Sequence, residues 1–374
     1  MPRHPMTLAA LHLRASGAVL AACLAALVAP LGACTGAGPA AQEHAAADAP
    51  GAAAATAPGA VSPVVASRAW RWESVDGVEV DTLNWSIRTS LRSGTFTASL
   101  PSFYEAALVN FREGLVPLPP PRKRLEAYIF GTRDDWAKYA QYKLGADAAP
   151  YLKMGRGGFT TAGEAVLYDI GPRDTLAIAA HEGWHQYSQT TMKSALPVWL
   201  EEGIACYMEG FRMPPNAPAP TFLPWRNPER YAELRNAARR DRLATLRQLL
   251  EGSPQSFLEV SRDAQLAYYA QVWALLHFMR EGEGGRYRPA LALLLDDAVA
   301  GRVADRVRSC DAIADPKVRE ACARSRVGPG LILAYFNPNF EEFAAQYDAF
   351  VGALLESNAW DRVMRGESPL TPAP

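Results

Sequence analysis

His181-Glu182-Gly183-Trp184-His185 lies in an apolar run that starts at Leu176-Ala-Ile-Ala-Ala180, and Leu196-Pro-Val-Trp-Leu-Glu-Glu-Gly-Ile-Ala205 follows soon after. The first stretch predicts a buried helix from Asp174, as its cap, to about Thr191. On such a helix residues i and i+4 share one face, so both imidazoles can reach one ion, with Glu182 beside them. Two histidines in so apolar a helix need a reason to be buried. Pro197 starts a second helix, Val198 to Met208, that returns antiparallel to the first and places Glu202 where a third ligand is needed. Two histidines and a glutamate leave a fourth position open, as a hydrolytic rather than a structural zinc site requires.

Outward from this pair the chain divides into two textures. Upstream, Asn84–Leu91 reads as a strand, 103–116 as a helix, and Arg124–Gly131 as a second strand. A helix near Asp134–Tyr142 and a short strand at Glu164–Ile170 complete this half. Downstream everything looks helical, at 228–240, 243–251, 262–281, 287–300 and 339–356. The expected fold is therefore α+β. An α/β lobe spans 67–190 and a helical lobe 191–357, together a single domain at 67–357, and a loose tail covers 358–374.

The N-terminus is of another kind. Arg3 and Arg14 precede an apolar run ending in Leu31-Gly32-Ala33-Cys34. That is the pattern of a secretory signal peptide over 1–33, and the last four residues resemble a lipobox, which makes Cys34 the lipid-bearing mature N-terminus. Residues 34–66, mostly Ala, Gly and Pro, read as a flexible tether. The expected location is thus a bacterial cell envelope, with the protein held to a membrane by its lipid. In an exported chain Cys310 and Cys322, close in sequence, are expected to form a disulfide. A formal net charge of −1 over 374 residues offers nucleic acid no electrostatic purchase.

The two halves together, H-E-x-x-H and P-x-W-L-x-E-G-x-A, resemble the gluzincin zinc metallopeptidases, in particular bacterial peptidase-MA-like families. The resemblance extends to Tyr269–Met279 and covers roughly 80–355. It implies a zincin-like fold with a small sheet packed on the HExxH helix, a Zn2+ cofactor, and a peptide or protein substrate. It implies His181, His185 and Glu202 as ligands, selecting Glu202 over Glu201, which points about 100° away and is expected to be dispensable for the metal. Glu182 becomes the general base. Tyr269 occupies the place of an oxyanion donor, with His277 on the same helix as the alternative. The strand at Glu164–Ile170 becomes the edge on which substrate is added, with Gly157-Gly158-Phe159 a mobile rim beside it.

The sequence departs from the pattern at one position. Thermolysin-like members carry an aspartate four residues after the glutamate ligand, which orients a zinc histidine; here that residue is Cys206. Glu209, a turn further along the same face, is the substitute candidate, with a backbone carbonyl as the alternative. The rival function is a non-catalytic envelope scaffold that keeps zinc only for stability, and an intact Glu182 argues against it.

Overall fold

The structure, a computed structural model, describes residues 63–152, 157–213, 219–356 and 359–370. The signal segment, Cys34 and nearly all of the tether lie outside the described residues.

The chain opens with an antiparallel hairpin, β1 (Ala66–Trp72) and β2 (Val75–Asp81), and turns back into β3 (Trp85–Thr89). Helix α1 (Gly94–Glu113), capped by the Ser93 side chain, crosses to β4 (Leu125–Phe130), which runs parallel to β3. Helices α2 (Arg133–Leu144) and α3 (Ala149–Leu152) precede the short strand β5 (Gly158–Thr161) and then β6 (Glu164–Tyr168). β6 enters parallel to β4, with Ile129 opposite Leu167, and β5 folds back antiparallel on β6. The sheet order is β1-β2-β3-β4-β6-β5.

That order corrects the expected edge. The strand beginning at Glu164 lies between β4 and β5, and the edge on this side is β5, which includes Gly158 and Phe159 of the segment read as a mobile rim. Four residues, Gly-Phe-Thr-Thr, are too few to show alternation. Gly158, Phe159 and Thr160 are all buried, so tertiary packing makes this strand rather than local propensity.

Beyond the sheet come α4 (Pro172–Thr191) and α5 (Val198–Met208), then a small ribbon of β7 (Phe211–Arg212) and β8 (Thr221–Phe222). Helices α6 (Pro228–Arg239), α7 (Leu246–Glu251), α8 (Pro254–Val260) and α9 (Arg262–Glu281) follow. The described chain ends with α10 (Arg288–Ala300), α11 (Val303–Arg308), α12 (Pro316–Ser325), α13 (Phe340–Leu355) and α14 (Ala359–Arg365). The result is a mixed α/β fold, mostly helical around one small sheet.

Two helices set the site. In α4 nearly every residue from Thr175 to Ser188 is buried, because α1, α5, β5 and β6 all pack on it. Pro172 opens it behind Gly171, so Asp174 falls in the first turn, where its charge suits the helix dipole, rather than at the cap. In α9 every residue from Gln265 to Met279 is buried, the signature of a central helix covered on all sides. α5 lies between them. Its Gly203 is needed because a Cβ there would stand 2.8 Å from the Val272 carbonyl oxygen of α9.

Two further expectations fail. The residues after 357 are not all a loose tail, since α14 buries Ala359 and Val363. Cys310 and Cys322 are free thiols, not a disulfide. Cys322 packs its sulfur toward Gly330, and Cys310 is buried beyond the end of α11.

Candidate metal centre

α4 and α5 bring His181, His185 and Glu202 together in the interior. The Nε2 atoms of His181 and His185 lie 3.4 Å and 3.6 Å from the same oxygen, Oε2 of Glu202. One donor atom from each residue falls within 4.8 Å of the other two, and all three residues are buried. Such spacings are long for N–H···O hydrogen bonds. Bonds of about 2.0–2.2 Å around a tetrahedral ion would set its donor atoms roughly 3.3–3.6 Å apart, and the two separations match that. The group can therefore hold a metal ion. Burial disfavours the charge on Glu202, but the two histidines outweigh it and hold the carboxyl down at about 2.

Each histidine has a carboxylate behind it, hydrogen-bonded to His181 and at a longer electrostatic distance from His185. His181 Nδ1 lies 2.7 Å from Glu209 Oε1. Glu209 in turn accepts from Arg230 at both oxygens, Nε to Oε2 at 3.0 Å and Nη2 to Oε1 at 2.7 Å, and from Asn227 Nδ2 at 2.7 Å. Burial opposes its charge, yet Arg230 and His181 hold it at about 2. Asn227 also caps α6 with its side-chain oxygen, accepting from the Arg230 backbone N–H at 3.3 Å. Cys206, at the position of the absent aspartate, comes near His181 and Glu209. With the Glu209 oxygens already engaged, this second cluster supports the first rather than forming another site.

His185 has a different brace. Its Nδ1 lies 3.4 Å from Glu201 Oε2, an electrostatic contact longer than a hydrogen bond, and that oxygen accepts from Trp184 Nε1 at 2.9 Å and Ser188 Oγ at 3.1 Å. Glu201 is thus not idle. It sits behind His185 on α4, while its neighbour Glu202 faces the donor cluster.

Glu182, fully buried, accepts from Thr160 Oγ1 at 2.7 Å through Oε2, and its Oε1 has no hydrogen-bond partner among the described residues. Burial pushes its carboxyl up to about 7, against the charges of His181 and His185 and the bond from Thr160. A carboxyl so placed can take up and release a proton near neutral pH.

Of the α9 candidates, Tyr269 sets its ring edge-on to His181, with centroids 6.3 Å apart, and lies under the Arg230 guanidinium at 5.0 Å. Its neighbour Tyr268, passed over in the sequence, carries a buried hydroxyl with no hydrogen-bond partner among the described residues. Burial and then the Glu202 carboxylate raise that phenol well above its ordinary value. His277 belongs elsewhere. It stacks on Trp225 at 3.5 Å and packs against Trp273 and Tyr207, and burial lowers its pKa.

Residues 175–289 match a family described as protein of unknown function (DUF1570). That segment runs from the first turn of α4 into α10 and holds the donor cluster with Glu201, Glu209, Arg230 and both tyrosines. Neither a curated protein nor a solved structure matches the chain.

Thr160, Asn227 and Arg230 escape a reading of the sequence for one reason: each meets the cluster through a contact between distant segments, and none stands in a spacing that a helix or strand period would reveal.

Proposed function

We propose that the chain is a zinc-dependent peptidase of the gluzincin kind, built on a zincin-like fold. The observation that supports this best is the convergence of His181, His185 and Glu202 beside a buried carboxyl with one open oxygen. Two imidazoles and a carboxylate at tetrahedral spacing suit zinc, whereas calcium and magnesium favour all-oxygen shells. A bound zinc ion would polarise the scissile carbonyl and lower the pKa of a water in its open position. Glu182 Oε1 takes the proton from the attacking water and delivers it to the leaving amine. Glu209 and Glu201 fix the orientation of the two imidazoles. A purely structural site has no use for Glu182, which favours hydrolysis over the scaffold reading. With its signal pattern and Cys34, the protein acts on peptide or protein substrates as a membrane-tethered envelope lipoprotein. Among the described residues no helix is long and apolar enough to cross a membrane.

The deciding experiment measures metal content of the purified chain and its cleavage of a broad peptide library. Stoichiometric zinc, loss of cleavage with a chelator and recovery on adding zinc are expected. Stoichiometric zinc without cleavage of any peptide would leave the scaffold.

Two variants divide the roles of the adjacent glutamates. Glu202→Ala is expected to lose the metal altogether. Glu201→Ala keeps it but binds about 10–100-fold more weakly, because His185 loses its orienting partner. Competition against a chelator of known affinity measures both, and wild-type affinity in Glu201→Ala would remove that brace from the argument.

The oxyanion donor is tested on the two tyrosines of α9. Tyr269→Phe and Tyr268→Phe both retain the metal, and the one that removes the donor lowers kcat about 10²-fold with KM little changed. Unchanged kcat in both would return the two rings to the core.

A further inference from the structure

β5 is the strand that touches the proposed base. Gly158 and Thr160, two residues apart, point to the same face of the strand and onto α4. A Cβ on Gly158 would stand 3.1 Å from Glu182 Cγ, 3.2 Å from Ile178 Cγ2 and 3.0 Å from the Val166 carbonyl oxygen. Glycine therefore lets the strand settle directly over Glu182. Thr160, fully buried, then brings Oγ1 to 2.7 Å from Glu182 Oε2 and 3.0 Å from the backbone oxygen of the same residue.

We propose that Thr160 is a positioning residue for Glu182, holding Oε2 so that Oε1 is the oxygen left to exchange the proton. This rests on the reading of Glu182 as the base. A carboxyl anchored at neither oxygen could rotate about its last torsion and offer either one, and a proton acceptor must be held in hydrogen-bond reach of its water.

Thr160 could instead matter only as packing between β5 and α4, and two variants separate the roles. Thr160→Val keeps the shape and loses the donor; Thr160→Ser keeps the donor and loses the methyl group. For positioning, Thr160→Val retains the metal and KM while kcat falls about 10–150-fold, the rate equivalent of one hydrogen bond to a charged group. Thr160→Ser should restore most of it. A second measurement needs no turnover. In metal-free protein, Thr160→Val should lower the urea midpoint in the wild-type background and shift it much less in a Glu182→Met background, where no carboxyl remains to be served. An active Thr160→Val beside an impaired Thr160→Ser would overturn the assignment, as would equal midpoint shifts in the two backgrounds. Full activity in Glu182→Gln would remove the base and this assignment with it. Full activity in Thr160→Val beside an inactive Glu182→Gln would overturn the assignment alone.

Discussion

Glu182→Gln is expected to retain its metal and lose turnover by at least about 10²–10⁴-fold, the contribution of general base catalysis. The amide matches the carboxyl in shape, and its oxygen can still accept from Thr160, so the geometry around α4 should survive. What it cannot do is accept a proton. The substitution has a second consequence, for stability, and its sign follows from burial. In the metal-free protein Glu182 titrates at about 7 against an ordinary value of 4.5. Between those values the folded chain keeps a proton that the unfolded chain has released, so wild-type stability falls as pH rises through this window. A neutral amide has no such slope. Urea midpoints in chelator, compared near pH 5 and pH 8, should therefore fall more for wild type than for Glu182→Gln. Full peptide cleavage by the variant would sink the base assignment, and matching pH slopes would show that Glu182 is not desolvated as described.

The contrast between what the sequence revealed and what it hid has a physical cause. The two helices of the donor cluster were legible because a helix repeats every 3.6 residues: His181 and His185 lie one turn apart, and Glu209, the residue at the C-terminal cap of α5, lies two turns beyond Glu202. The same periodicity pointed to Glu209 once Cys206 stood where a carboxylate was wanted, and the structure sets Glu209 against His181. Residues whose role arises from tertiary packing left no such trace. β5 is a strand because α4 and β6 bury it, not because Gly-Phe-Thr-Thr favours one. The β1–β2 hairpin joins at the far edge of the sheet; Val78-Glu-Val-Asp81 alternates as a strand does, but β1 is mostly exposed and offers little apolar face to mark it. A helix is expected from 228 and α6 starts there, yet nothing in the sequence says that Asn227, which caps it, also donates to Glu209. For Cys310 and Cys322, nearness along the chain suggested a bond, but a disulfide is a matter of sulfur positions that spacing does not determine. Glu201 was set aside on an argument that considered only the metal. Helix directions 100° apart do exclude two adjacent ligands, but they leave Glu201 free to reach the far nitrogen of His185.

Arg230→Met is expected to destabilise the metal-free protein by about 3–5 kcal/mol, the cost of leaving one member of a buried ion pair behind. Arg230 is 2% exposed, and its two-pronged contact supplies the positive charge that lets Glu209 stay ionised beside His181. Without it, Glu209 is a buried carboxylate held only by Asn227 and His181. It can then stay charged at a heavy desolvation cost, take up a proton, or draw a second proton onto His181. The last two outcomes weaken the metal site, one by ending the charge-assisted bond that orients the ring and the other by occupying the ligand nitrogen. Zinc affinity should therefore fall with stability, and added zinc should restore part of the lost stability by mass action. Tyr269 also loses the cation over its ring, a smaller effect of about 0.5–2 kcal/mol. The double variant Arg230→Met/Glu209→Gln separates these contributions, because it leaves no buried charge unpaired. It should be more stable than Arg230→Met alone, although it lacks both members of the pair, while His181 remains poorly oriented and zinc affinity stays low. Urea denaturation with chelator and zinc competition read the two quantities independently. A single variant as stable as wild type, or a double variant less stable than the single, would mean that Glu209 does not depend on Arg230 for its charge.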